Sequence, residues 1–330
     1  MAKKQPTKHP AKHPTKQPAK QAASVIYSVA QTANTNKVTV KKVAEPTAIK
    51  TTYASLTSVT VQGKTYLLGY NPAMDAPDLY EFTAKAPWLQ PATGTLKVGA
   101  GYDIIEPFTL GNQPFVACYT AKNGVFSIFS IADDLSISGP FKFFRNHEPA
   151  LTQGFTTLKA FVCFGTVVFL GYNGVNGYVA LYTLTTSATS PANTPPLLMT
   201  PQWSHVWAKG WTRFAFFQLG GENFFFKTNT WKPNVNIDHV LDGLTTGTIE
   251  VASNLNDALK DAQTLNIVEP VVLGTGDPYF VTYMKDGAMT LNRFHSDCMG
   301  WTTVAALTSK TNATQVVPIG AGAKAFLLVT

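Results

Sequence analysis

The segment Tyr66-Leu-Leu-Gly-Tyr70 decides the fold, because segments of the same character occur five more times along the chain. Each is a short run of aromatic and aliphatic residues, which is typical of a buried β-strand. The six runs begin at positions 66, 115, 168, 224, 279 and 326, so the chain contains six copies of a unit of about fifty residues. The other five runs are Phe115-Val-Ala-Cys-Tyr119, Val168-Phe-Leu-Gly-Tyr172, Phe224-Phe-Phe-Lys-Thr228, Tyr279-Phe-Val-Thr-Tyr283 and Phe326-Leu-Leu-Val-Thr330.

Further strands are indicated on both sides of the repeated run. Downstream, three copies place a turn dipeptide before a second apolar run, which predicts a tight β-hairpin. Upstream, four copies carry an aromatic residue thirteen positions before the repeated run, which indicates another strand. With a fourth, outer strand from the variable stretch between copies, each unit predicts a four-stranded blade of a β-propeller. The turn dipeptides are Asn123-Gly124, Asn176-Gly177 and Asp286-Gly287, and the aromatic residues are Tyr53, Tyr102, Phe155 and Trp211.

The two ends of the chain predict how the ring closes. The sixth copy stops at Thr330, where the other copies begin their second hairpin, and the missing type of strand occurs instead in Ala23-Ser-Val-Ile-Tyr-Ser-Val29. Val38-Thr-Val-Lys-Lys-Val43 follows as a candidate outer strand. We therefore predict an all-β, six-bladed propeller whose last blade combines both termini, which leaves no sheet edge unpaired. A solenoid would need a shorter repeat, and a jelly roll would not explain six similar periods.

Residues 1–22 differ in composition from the rest of the chain. Lysine occurs there at every fourth position from Lys4 to Lys20 and proline at every fourth position from Pro6 to Pro18, with nothing apolar to bury. We predict a disordered basic arm over residues 1–22 and one propeller domain over residues 23–330. The arm is either a solubilising tail or an attachment to an acidic surface, such as anionic lipid, nucleic acid or acidic polysaccharide.

Charge, cysteine content and hydropathy exclude several classes of function. The arm carries six of the lysines behind the formal charge of +7, so the remainder is close to neutral and does not favour sequence-specific nucleic-acid binding. Three cysteines without a CxxC spacing indicate neither disulfides nor a metal site, and no cofactor motif occurs. We see no signal peptide and no transmembrane segment, so we expect a cytoplasmic protein or one exported by a non-classical route.

The sequence contains no motif of a known catalytic site. There is no GxSxG elbow, no HExxH and no glycine-rich phosphate loop. Glu106-Pro107 and Glu269-Pro270 are matching dipeptides, and their repetition favours a structural role over catalysis. We therefore expect no catalytic residues, no metal and no enzymatic activity.

Tryptophans and neighbouring polar residues suggest a binding site instead. A tryptophan ring can stack on the C–H face of a sugar while amide, carboxylate and imidazole groups bind its hydroxyls. The fourth copy has the densest combination, and packing between blades is the alternative role for each ring. The candidate ligand-binding residues are Trp203, Trp207, Trp211, Trp231, Asn229, Asp238, His239, Trp88 and Trp301.

The string Trp207-Ala-Lys-Gly-Trp211-Thr-Arg-Phe, followed by Gly-Gly-Glu-Asn and three phenylalanines, resembles the repeat of bacterial and fungal β-propeller lectins. In that family, W-x-x-G-W-T leads into a G-G-x-x-aromatic strand. The resemblance implies shallow glycan sites between or within blades, without a metal, with Trp207 and Trp211 at the positions of the motif. Other copies match the motif only in part, which leaves the number of working sites open.

Three functions follow from these observations, in order of preference. The first is a lectin that binds a glycan or glycoconjugate. The second is a protein-interaction scaffold tethered by the basic arm. The third is a hydrolase acting on glycans, because propellers can carry catalytic groups in their central funnel.

Overall fold

The computed structural model shows six antiparallel sheets of four strands each, arranged as the blades of a propeller. It describes residues 24–31, 37–46, 49, 52–141, 143, 151–186, 197–229, 231, 234–242, 244, 249–255, 265–272, 278–310, 312–321 and 324–330. The predicted arm, residues 1–22, lies outside them. Within these ranges, nothing helical occurs that could serve as a membrane span. The predicted all-β, six-bladed fold is confirmed.

Blades are numbered by the order of their first strands. Blades 1 to 3 contain β3 (Ser55–Val61), β4 (Lys64–Tyr70), β5 (Asp78–Phe82), β6 (Leu89–Pro91), β7 (Ile104–Leu110), β8 (Gln113–Thr120), β9 (Val125–Ile131), β10 (Ile137–Ser138), β11 (Thr157–Cys163), β12 (Thr166–Tyr172), β13 (Tyr178–Thr186) and β14 (Leu197–Val206). Blades 4 to 6 contain β15 (Trp211–Leu219), β16 (Glu222–Asn229), β17 (Asn234–Val240), β18 (Ile249–Asn254), β19 (Leu265–Val272), β20 (Pro278–Met284), β21 (Ala288–Phe294), β22 (Trp301–Thr308), β23 (Val316–Ala321), β24 (Lys324–Val329), β1 (Val25–Gln31) and β2 (Val38–Ala44).

Both chain ends meet in blade 6. Its strand order is β2-β1-β24-β23, and β1 pairs antiparallel with β24 from Val25 opposite Val329 to Val29 opposite Ala325. This confirms the predicted closure. Because β1 occupies the edge that β24 would otherwise expose, the last blade has the same four strands as the others.

The three predicted hairpin turns lie where the sequence places them. Asn123-Gly124 connects β8 to β9, and Asn176-Gly177 and Asp286-Gly287 connect the corresponding strands of blades 3 and 5. Each of the three glycines has a positive φ, between 73° and 93°, which side chains of other residues rarely tolerate. The residue before each glycine accepts a hydrogen bond on its side-chain oxygen from the backbone N–H two positions on.

The four upstream aromatic residues lie at the entrance to the first strand of blades 1 to 4, and in blades 1 and 3 the ring covers the second strand. A Cβ atom added to Gly69 would collide with the ring of Tyr53, and one added to Gly171 would collide with the ring of Phe155. The repeated run therefore keeps a small residue at its fourth position in blades 1 and 3, because the ring occupies the space of a side chain.

The last residue of the repeated run links each of three blades to the next. Tyr119 donates its hydroxyl to the carbonyl of Thr152 at 2.7 Å and accepts the N–H of Phe155 at 3.1 Å. Tyr172 makes the same pair of bonds to Ala208 and Trp211. Tyr283 repeats the arrangement in blade 5. These bonds satisfy backbone groups of the linkers that lead from one blade into the next.

The hydrophobic core consists of clusters between consecutive blades. Among the described residues there are six such clusters, one for each neighbouring pair of blades, including blades 6 and 1. Between blades 2 and 3, Phe108 packs at 5.3 Å on Phe115 and at 5.2 Å on Phe169, measured between ring centroids. Burying one such ring contributes roughly 1.5–3 kcal/mol, so the interfaces supply most of the stability of the ring.

We expect Tyr119→Phe to destabilise the protein by about 1–3 kcal/mol, because the buried N–H of Phe155 and the carbonyl of Thr152 lose their partner. Tyr66→Phe is the matched control, since the Tyr66 hydroxyl has no hydrogen-bond partner within the described ranges. Urea denaturation of both variants measures the free energies of unfolding. Equal losses in the two variants would show that the hydroxyl does not link the blades.

Candidate functional site

The propeller has two faces with different connections. The upper face carries the turns between the second and third strands of each blade and the linkers to the next blade. The lower face carries the turns between the first and second strands and between the third and fourth. The first strands β3, β7, β11, β15, β19 and β23 contact one another in succession around the axis and form the wall of the central channel.

Five of the predicted site residues come together at the upper edge of blades 3 and 4. Trp203 lies near the end of the outer strand β14, Trp207 lies in the following linker, and Trp211 begins β15. Asn229 ends β16 and Trp231 lies in the turn after it. The rings of Trp203 and Trp207 are 6.0 Å apart.

Trp211 packs inside this group. Its side chain is only 3% exposed and lies in the cluster between blades 3 and 4 with Tyr172 and Phe214. Trp203 and Trp207 are half-buried against the same cluster. The faces of the Trp211 indole are therefore covered by protein, and solvent reaches only parts of the other two rings.

Lys227 occupies the place below these rings. It stands at the fourth position of the repeated run, where blades 1 and 3 have glycine, and is almost completely buried. Its ammonium lies 3.8 Å from the ring centroid of Trp207 and 4.9 Å from that of Trp211, and it forms an ion pair with Asp238. Burial lowers the pKa of Lys227 and raises the pKa of Asp238, and the attraction between the two charges opposes both shifts.

Blade 4 also contains buried polar atoms without a hydrogen-bond partner in the described part of the chain. They are Trp211 Nε1, Asn234 Oδ1, Asn236 Oδ1 and Asp238 Oδ1. A buried polar group without a partner costs about 1–3 kcal/mol. Packing alone would favour apolar residues here. Within the described ranges, blade 4 therefore differs from the other blades in burying more polar side chains, as well as in its sequence.

Trp231 is the exposed member of the group. Its side chain is 61% exposed, and its backbone N–H donates a 2.9 Å hydrogen bond to Asn229 Oδ1. Asn229 in turn donates to the carbonyl of Lys209 at 2.6 Å. The ring lies against Gly210, where an added Cβ would come within 2.5 Å of Trp231 Cγ. The upper face thus presents an indole that its surroundings hold in place.

The other predicted residues lie elsewhere. His239 is five residues beyond Asn234, which at about 3.3 Å per residue puts it roughly 17 Å away, toward the lower face. Its Nε2 lies 3.0 Å from Glu222, and its ring stacks on Phe224. Trp88 and Trp301 begin outer-strand regions on the lower face of blades 1 and 5, and each packs edge-on against a phenylalanine. The structure does not bring these three residues into the upper group.

Two clefts on the lower face were not indicated by the sequence. One of about 760 Å³ lies between blades 2 and 3, and its lining includes Phe115, Phe141 and Asp133. The other, of about 650 Å³, lies between blades 4 and 5 and includes Phe294 and His295. Their described walls contain none of the predicted site residues. Each cleft forms between segments far apart in sequence, so no local motif marks it.

The central channel brings together charged residues from four blades. Lys159 of blade 3 donates to Glu106 Oε2 of blade 2 at 3.2 Å, and the backbone N–H of Ala160 donates to Glu106 Oε1, also at 3.2 Å. Glu106 and Glu269 both have a raised pKa because of burial, while Lys159 opposes the shift in each case. Arg213 of blade 4 also opposes the shift of Glu269, so it lies within electrostatic range of that carboxylate. The matching Glu-Pro dipeptides thus face the axis, although their repetition had favoured a purely structural role.

No protein-family model matches the sequence, and the search of characterised protein sequences finds no match either. Solved structures with the same fold do match. A protein from Bacteroides fragilis NCTC 9343, provisionally assigned as a 6-phosphogluconolactonase, is 14% identical with a TM-score of 0.50, over 95% of this chain and 89% of that one. The SapL1 lectin, solved with alpha methyl fucoside, is 10% identical with a TM-score of 0.51, over 83% of this chain and 88% of that one. At these identities the likeness shows the fold alone.

The comparison corrects the expectation that the chain is not an enzyme. A second protein provisionally assigned as a 6-phosphogluconolactonase, from Bacteroides uniformis ATCC 8492, has a TM-score of 0.50 and 13% identity over 89% of this chain and 85% of that one. The shared architecture is therefore one that carries enzyme assignments as well as a lectin. The expectation was wrong because it relied on missing local motifs, whereas the central channel collects ionisable groups from strands that are far apart in sequence.

We expect Lys227→Met to destabilise the protein by about 3–5 kcal/mol, because Asp238 remains as a buried carboxylate without its cation. The double variant Lys227→Met/Asp238→Leu should recover a large part of this loss, since neither charge is then buried. Lys64→Met is the control, because Lys64 is largely exposed in its pair with Glu81, and this pair should contribute less than about 1 kcal/mol. Denaturant unfolding measures all three. A single variant as stable as the control would mean that the pair does not hold blade 4 together.

Proposed function

We propose that the chain is a lectin that binds a glycan at the upper face of blade 4, with Trp231 as the stacking platform. The observation that carries the proposal is the exposed and positioned Trp231 ring. The flat apolar face of an exposed tryptophan fits the C–H side of a pyranose, while its indole N–H can donate to a hydroxyl.

The surroundings of Trp231 account for its position. Gly210 leaves room for the ring, and Asn229 connects the Trp231 N–H to the Lys209 carbonyl. Because these contacts order the ring before ligand binds, little conformational entropy is lost on binding. Lys209, one residue before Gly210, has an exposed side chain that can donate to a sugar hydroxyl.

The tryptophans of the W-x-x-G-W-T segment have a supporting part in this proposal. Trp207 and Trp211 anchor the linker that contains Gly210, through Tyr172 and the Lys227–Asp238 pair below them. Trp203 stacks near the exposed His205, with ring centroids 5.8 Å apart, and extends the polar and aromatic surface toward blade 3. Trp88, Trp301 and His239 lie on the lower face, so we propose that they contact a glycan separately and more weakly than Trp231 does.

Enzymatic activity is a second candidate, favoured by the two channel glutamates. A carboxyl group with a raised pKa can remain protonated closer to neutral pH and act as a general acid. Turnover of lactones and aryl glycosides by the full chain tests this function. Activity that Glu269→Gln abolishes and Trp231→Ala retains would place catalysis in the channel, and no turnover of either substrate class would remove the candidate.

We expect Trp231→Ala to weaken glycan binding by about 1–3 kcal/mol without lowering the free energy of unfolding, because the ring contributes to the ligand surface and little to the core. Trp231→Phe should retain part of the affinity. A glycan array on the unchanged protein identifies the ligand, and titration calorimetry then compares the variants. Met299→Ala is the control, since Met299 is exposed to a similar extent but lies on the lower face of blade 5. Unchanged affinity in Trp231→Ala, or silence of the unchanged protein across the array, contradicts the proposal.

A further inference from the structure

The repeat offers an internal comparison between the two channel glutamates. Glu106 pairs across its hairpin with Ala117, and Glu269 pairs with Val281, which are the third residues of their repeated runs. The two carboxylates therefore occupy the same position in blades 2 and 5. What surrounds one of them shows what the other lacks.

Glu106 receives its partners from the following blade. At the same position in blade 3 stands Lys159, which provides a cation, and the next residue, Ala160, provides a backbone N–H. Both oxygens of the Glu106 carboxylate thus have a hydrogen-bond partner within the protein.

The blade that follows Glu269 provides neither partner. The residues equivalent to Lys159 and Ala160 are Val317 and Pro318 in β23. Valine carries no charge, and proline has no backbone N–H to donate. Within the described ranges the Glu269 carboxylate has no hydrogen bond and no ion pair within 4 Å, and only burial and the more distant charges of Lys159, Arg213 and Glu106 act on it. Its side chain is nevertheless only half-buried, on the wall of the channel.

The charges around Glu269 restrict the kind of ligand that fits. Lys159 and Arg213 both act on Glu269 electrostatically, and Glu106 neutralises Lys159 through the ion pair. The two cations and the two carboxylates give a net charge of about zero. A cationic ligand would therefore be repelled by the two cations, and an anionic ligand by the two carboxylates. A neutral molecule with several hydroxyls meets neither penalty. Its O–H groups can donate to Glu269, and its oxygens can accept from the Arg213 guanidinium.

We propose that the central channel is a second binding site, separate from the Trp231 surface, in which Glu269 and Arg213 bind a small neutral polyhydroxylated molecule. The ligand class is a monosaccharide or polyol, because its hydroxyl groups can donate to Glu269 and accept from Arg213. It does not depend on the Trp231 surface being a glycan site.

The test uses the full chain with Trp231→Ala as background, so that the surface site does not contribute. Ligand-detected NMR titrations use glucose, galactose, fucose, arabinose and myo-inositol as neutral probes, with glucosamine as the cationic and gluconate as the anionic probe. We expect at least one neutral probe to bind saturably, and Glu269→Gln to weaken it about tenfold or more, which corresponds to about 1.4 kcal/mol. Glu45→Gln, at an exposed ion pair outside the channel, is the matched control and should leave the affinity unchanged.

Several outcomes overturn the proposal. These are absence of saturable binding by all neutral probes, equal affinities with and without Glu269→Gln, or tighter binding of a charged probe than of every neutral one. Where Glu269→Gln lowers the unfolding midpoint too far for titration, Arg213→Gln replaces it with the same expected loss. Failure of the lectin proposal is seen separately, as unchanged glycan affinity in Trp231→Ala alone.

Discussion

The hydrogen-bonded pairing of β1 with β24 is the constraint on which the ring depends. Alternate residues of these strands point to opposite neighbours: Val25, Tyr27 and Val29 pack in the cluster with blade 5, whereas Ile26 packs with blade 1. Two of the six interfaces therefore include residues from both chain ends. Joining segments that are almost the whole chain apart costs loop entropy, which grows only slowly with length, while each interface buries a large apolar area. Closure is favourable for that reason, and it holds the remaining blades in place.

The repeat also provides a standard against which individual residues can be judged. Tyr53 and Phe155 lie over glycine, and blade 4 keeps the aromatic ring as Trp211 but places Lys227 beneath it. The buried cation then needs Asp238, and the surrounding amide and indole groups are left incompletely satisfied. A similar contrast separates Glu106 from Glu269 in the channel. Departures of this kind cost stability at packing positions, which is why we treat them as the places where function was added to the scaffold.

The two proposed sites use different properties of the same architecture. Trp231 lies on a turn at the upper face, where the linker with Gly210 supports it from below and solvent covers its outer side. Glu269 and Arg213 lie on first strands, which converge around the axis and hold polar groups from different blades near one another. The turns thus present an aromatic surface that is open to solvent, and the channel wall presents a small group of polar side chains. The near-neutral balance of the channel suits a ligand recognised by its hydroxyl groups, whereas the Trp231 ring offers an apolar face.

The sequence alone determined the number of blades, their hairpin turns and the completion of blade 6 by both termini. These features follow from local patterns, namely apolar runs at similar spacing and Asn-Gly or Asp-Gly dipeptides, which act within a few residues. It also identified the blade 4 tryptophans, but not which of them solvent reaches: Trp211 is buried and Trp231 exposed because of how blades 3 and 4 pack. Only the tertiary structure decided that Glu106 is satisfied and Glu269 is not. The partners of a channel residue come from the neighbouring blade, about fifty residues away, and no pattern within one strand records whether that neighbour offers a lysine or a valine.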